Sequence, residues 1–136
     1  MRDADAQTIR TQVLSVWNGS AYASDYDMVM DNRDYEPTDG TPWLRFSLRP
    51  GPRRQAAYGG VQKRYRTLGQ VIVSVFLPRN SGDGLVYALS EVFRTGLENQ
   101  TFSGVVFRTV EQAYVGLDGQ WNQWNVRSEF YVDDVR

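Results

Sequence analysis

Residues 63–97, KRYRTLGQVIVSVFLPRNSGDGLVYALSEVFRTGL, read as a long strand, a turn and an amphipathic helix in succession. The stretch from Gln70 to Leu77 is nearly all apolar and rich in Val and Ile, as expected of a central strand. Gly69 marks a bulge or bend in it. PRNSGDG, residues 78–84, is turn chemistry. After it the apolar period changes to that of a helix. Leu85, Val86, Leu89, Val92, Phe93 and Leu97 form one stripe, Asp83 stands at or just before the N-cap, and Gly96 lies near the end.

Upstream, Ala6, Ile9, Val13, Val16 and Trp17 recur at helical spacing, with Asp3 and Asp5 near the positive end of the helix dipole and Asn18-Gly19 as the stop. In PWLRFSLRP, residues 42–50, Leu44, Phe46 and Leu48 alternate with Trp43, Arg45, Ser47 and Arg49. That pattern predicts a strand with one buried face, stopped by Pro50, Gly51 and Pro52. DMVMD, residues 27–31, is a candidate short strand. Downstream, 104–116 and 120–134 read as two long strands joined at Asp118-Gly119, a hairpin signal. On the last of them, Trp124, Val126, Ser128, Phe130 and Val132 share one face. Trp121, Gln123, Asn125, Arg127, Glu129 and Tyr131 share the other, a mixture of aromatics and Arg that suits an interface or a face covered by a loop.

The order helix, strands, helix, strands with short connections predicts an α+β fold. We expect a mostly antiparallel sheet with two helices on one face and an extended basic β-arm or loop. The 136 residues are expected to make one domain. No apolar run approaches the ~18–20 residues of a membrane span, and the polar N-terminus shows no targeting signal.

The chain has no cysteine and no histidine. Disulfides, thiolate metal sites and His-based catalytic constellations are therefore excluded. No glycine pattern opens a helix as a phosphate loop does. The carboxylates of residues 25–39 lack the spacing of an EF-hand, so a solvated acidic loop is the simpler reading. We expect no catalytic residue, cofactor or metal.

Charge is distributed unevenly. Residues 24–40 hold six acids, Asp25, Asp27, Asp31, Asp34, Glu36 and Asp39, and one base, for a net −5. Residues 45–66 hold seven bases and no acid, although the whole chain is at −1. All but one of the chain's 15 basic residues are Arg, whose forked guanidinium pairs with carboxylates or phosphates and stacks on rings. Three readings fit the basic stretch. It is a solvated loop, a nucleic-acid contact in which Tyr58 and Tyr65 stack on bases, or a contact between copies in which one chain's acids meet the next chain's arginines. Pairing of the two segments within one chain is the alternative to the last.

The ordered motifs PWLR (42–45), LRPG (48–51), GQVIVSVF (69–76) and GDG (82–84), ending in WNVRSEFYVDD (124–134), carry a resemblance. From about Thr8 to Val132 the chain resembles the tail terminator proteins of long-tailed bacteriophages and phage-derived gene transfer agents. The resemblance implies an α+β subunit without catalytic activity, forming a hexameric ring on the end of the tail tube. The ring stops tube polymerisation and meets the head–tail connector or stopper protein, and the genome passes through its lumen. It also implies residence at the virion's tail–neck junction after assembly in the bacterial cytoplasm. On this chain, Arg49, Arg53, Arg54, Tyr58, Lys63, Arg64 and Arg66 would face tube, connector, lumen or a neighbouring subunit, with the six acids as the complementary surface. The alternatives are another neck component, such as a connector adaptor or head-completion protein, and a nucleic-acid-binding module.

Overall fold

The computed structural model describes residues 1–57 and 64–135. Helix α1 (Asp3–Asn18) precedes β1 (Asp27–Met30), β2 (Trp43–Ala57) and β3 (Arg64–Pro78). Helix α2 (Gly84–Leu97) follows, then β4 (Thr101–Phe102), β5 (Val105–Asp118) and β6 (Trp121–Val135). The strands form one sheet in the order β1-β2-β3-β6-β5-β4. Only the β1–β2 pair is parallel. The α+β architecture with both helices on one face is thus the one the periodicities predict. Among the described residues no helix is long and apolar enough to cross a membrane.

The core lies between the helices and one sheet face. Leu44 and Phe46, Val71, Val73, Val75 and Leu77, and Val126, Phe130 and Val132 point inward from β2, β3 and β6. Ile9, Val13 and Trp17 of α1 meet them, together with Val86, Leu89, Phe93 and Leu97 of α2. Ser90, also buried, returns its hydroxyl proton to the Val86 carbonyl at 2.8 Å, so the stripe carries no unmet donor there.

Two glycines act through the side chain they lack. A Cβ on Gly69 would lie 2.6 Å from the Phe130 ring, which occupies that space instead. A Cβ on Gly96 would lie 2.5 and 2.8 Å from the two methyl groups of Val16, so this glycine sets how closely α1 and α2 approach.

One expectation needs correction. The first strand of the long hairpin does not stop at Pro50. It continues to Ala57 through a bulge between Pro50 and Arg53. Proline lacks a donor, but β1 covers only Trp43–Phe46, so the outer half of β2 is a sheet edge where no donor is required. Gly51 fits the bulge because any Cβ would press to 2.6 Å from the Leu68 carbonyl oxygen.

On the face turned away from the helices, the loop-covered reading holds at one end. Trp43 and Trp121, placed on it by alternation, are not exposed but are 7% and 8% accessible. They enclose Phe76 in a separate aromatic cluster, with Trp43 stacked on Phe76 at 4.1 Å and edge-on to Trp121 at 6.4 Å. Tyr35, from the acidic stretch, covers Trp43 at 5.0 Å. Alternation reports which face a residue is on; it does not report that a loop folds over that face.

Gly96→Ala should lower the melting temperature despite alanine's higher helix propensity, because both Val16 methyls block relief by rotation; overpacking of this kind costs ~1–3 kcal/mol. Adding Val16→Ala should recover most of the loss. A thermal melt of the two single variants and the double variant checks this, and equal melting of Gly96→Ala and the parent would refute it.

Candidate functional site

The arginines of the basic stretch lie on the outer part of β2 and β3 (the arm), where β6 runs beside them as a third strand of the same sheet. The β3–β6 register sets Arg66 opposite Asp133 and Tyr65 opposite Asp134. On the face away from the helices, Arg66 donates to Asp133 from Nε at 2.8 Å and from Nη2 at 3.0 Å. This fork also lies over the Tyr131 ring at 4.1 Å, with Arg108 over the same ring at 5.2 Å. On the helix side, Arg53 stacks on Tyr65 at 4.1 Å and reaches Asp134 at 3.4 Å. Nearby, Arg2 binds the buried Asp5 at 3.2 Å and approaches Asp134 at 3.9 Å. The arm root is therefore pinned by acids from the C-terminal strand, Asp133 and Asp134, which composition alone did not single out. Their signal was present: a strand ending in Asp-Asp lies antiparallel to one beginning Arg-Tyr-Arg.

The acidic and basic segments touch through one ion pair among the described residues. Arg49 Nη1 donates to Asp31 Oδ2 at 2.6 Å. That hydrogen bond is the main reason the Asp31 carboxyl is held below its usual pKa. The Asp133 carboxyl is lowered in the same way, chiefly by its bond from Arg66. Asp27 accepts the Tyr35 hydroxyl at 2.9 Å, and Asp39 accepts Gln120 Nε2 at 3.2 Å. The Tyr35 hydroxyl is pushed up, first by burial and then by Asp27. These contacts hold the acidic stretch across the aromatic end of the sheet.

The remaining candidates stay outward. Asp25, Asp34 and Glu36 are exposed, and none joins an ion pair among the described residues. Arg54 and Arg64 are exposed on the arm under the same description. Arg64 acts on Asp133 only through its field. Tyr58 and Lys63 lie outside the described residues. Of the two tyrosines considered for base stacking, Tyr65 has one ring face occupied by Arg53.

Between the helix-distant face and the arm root lies a groove of about 360 Å³. Leu68, Gln70, Glu129, Arg49 and Arg108 line it, and the Pro50–Pro52 bulge forms a wall. Among the described residues no three His, Cys, Asp or Glu side chains gather as a metal site.

A carboxyl with a lowered folded pKa stabilises the fold above its unfolded pKa and loses that contribution as pH falls through the folded value. Asp133 and Asp31 are both of this kind. Denaturant melts below about pH 4 should show a steep loss of stability in the parent and a shallower one in Asp31→Asn/Asp133→Asn. Identical acid dependence would remove these pairs from the account.

Comparison with known proteins gives the fold and arrangement a context. None of the curated proteins matches in sequence. A solved structure, 14% identical, superposes with a TM-score of 0.66 over 97% of this chain and 95% of its own, which shows a shared fold. A family model described as phage tail terminator protein matches residues 8–107, from α1 into β5. That match spans both helices, the arm and the acidic stretch, and it places this chain in the phage tail terminator family, structural proteins of the phage tail.

Proposed function

We propose that the protein assembles as a homohexameric ring on the last ring of the tail tube. There it ends tube polymerisation and presents a surface to the head–tail connector or stopper protein, with DNA passing through the lumen. The family supports the place in the tail. The observation that carries the ring is the charge left over after folding. Asp25, Asp34 and Glu36 on one segment, and Arg54 and Arg64 on another, have exposed charges and no ion pair among the described residues. Opposite patches on different parts of one surface meet between copies head to tail, and such contacts close into a ring when the rotation between copies divides the full circle. The function requires shape and affinity and no reaction, in keeping with a chain that has neither His nor Cys.

The anchored and free arginines separate cleanly in a test. Arg54→Glu/Arg64→Glu alters exposed positions, so the isolated fold should change by less than about 0.5 kcal/mol. The same variant should lose rings in negative-stain images and by mass in solution. Mixing it with an Asp34→Arg/Glu36→Arg chain should restore mixed assemblies. Rings of unchanged mass from the Arg54/Arg64 variant would overturn the charge pairing.

Particles assembled without the protein should carry over-long tails or tails without heads. Tails of normal length attached to heads would reject the terminator role.

A further inference from the structure

Among the described residues five large apolar side chains are exposed: Leu68, Tyr87, Tyr114, Val115 and Leu117. They fall in two places. Tyr114, Val115 and Leu117, each more than half exposed, form the tip of the β5–β6 hairpin. Tyr87 of α2 joins them through Trp124, whose ring lies 5.2 Å from Tyr114 and 6.2 Å from Tyr87. Leu68 stands apart, in the groove at the root of the arm.

We propose that the hairpin tip of one copy seats in the arm-root groove of the next. This inference rests on the ring reading and names one of its contacts. The tip is narrow, closed by Gly119 at φ +60° between Asp118 and Trp121. The groove, at about 360 Å³, is at the low end of the ~300–1,000 Å³ range of binding clefts, which suits a loop tip better than a helix.

The charges agree. Asp118, exposed beside the tip, joins no ion pair among the described residues, and neither does Arg108 in the groove. Arg79, next to the hairpin turn through its backbone bond to Gln120, is a cation for Glu129 of the groove.

No chain can fill its own groove. Trp121 beside the tip and Phe130 beside the groove are nine positions apart on β6, roughly 30 Å along the strand. Tyr114 and Trp124 are on the helix side of the sheet, whereas Leu68 and Glu129 are on the other. Two different, separated patches make a head-to-tail contact. A tip in a groove supplies only part of the ~800 Å² per partner of a stable interface. The acidic and arginine-rich segments form the polar remainder.

The cysteine-free chain permits a direct test. Leu117→Cys and Leu68→Cys both change exposed residues, and unaltered melting would confirm intact folding. Under mild oxidation, the chain carrying both should give a ladder of disulfide-linked oligomers, in solution or in assembled tails. A mixture of the two single variants should give one heterodimer band, because a disulfide needs Cα atoms within about 7 Å. Adding Asp118→Arg should abolish the ladder, and Arg108→Asp in the same chain should restore it. Self-pairing of either single variant, a Leu117→Cys bond to another tail protein, or no disulfide in either setting would overturn the proposal. Six-fold rings without the Leu117–Leu68 link would sink this contact and leave the ring reading standing. A ladder without closed rings would do the reverse.

Discussion

The unbroken ladder between β3 and β6 is the constraint on which the rest of the molecule depends. It runs in one register from Arg64 opposite Val135 to Pro78 opposite Trp121, along all 15 residues of β3. A slip of one residue would turn Val71, Val73, Val75 and Leu77 away from the helices and put Ser74 and Phe76 in their place. The same register brings Asp133 to Arg66 and Asp134 beside Arg53, and it sets Trp121 at the end where Phe76 and Trp43 meet. Core, arm root and aromatic cluster are consequences of one pairing. The two bulges of β5 and the two of β2 lie on strands flanking this ladder, so local irregularity does not disturb it.

The arm illustrates why a basic run is not by itself a binding surface. Its arginines divide into those that hold the arm and those that remain available. Arg53 and Arg66 each combine a carboxylate with a tyrosine face, using both the fork and the plane of the guanidinium. Partly exposed ion pairs add little to stability in water, and their effect here is on direction: they tie the outer strands to β6. Arg54 and Arg64, on the same hairpin, have no such pairing among the described residues. In the ring we propose, these are the positions that meet a neighbour.

The sheet face opposite the helices is neither a second core nor a plain solvent surface. At one end Trp43, Phe76 and Trp121 are closed over by Tyr35. Farther along, polar side chains take over: Ser74 donates to Asn125 at 2.9 Å, and Arg127 reaches Glu111 at 3.2 Å. At the arm root the face opens as the groove. The acidic stretch is thus a structural cover through Tyr35, Asp31 and Asp39, while Asp25, Asp34 and Glu36 stay on its outside.

Much of the fold was legible in the amino-acid order. Helical spacing gave α1 and α2, alternation gave the inward faces of β2 and β6, and Asp118-Gly119 gave the closing hairpin. These signals are local, because each depends on the periodicity of one segment against one buried layer. The family could also be read there, since its motifs are ordered along the chain. What tertiary structure decided is pairing across distance. That β1 lies parallel to β2, that Trp43 and Trp121 are covered, that Gly96 receives Val16, and that Asp133 and Asp134 rather than the acidic stretch hold the arm all depend on segments far apart in sequence. Register and close approach between such segments follow from the whole packed core, and no single stretch of residues encodes them.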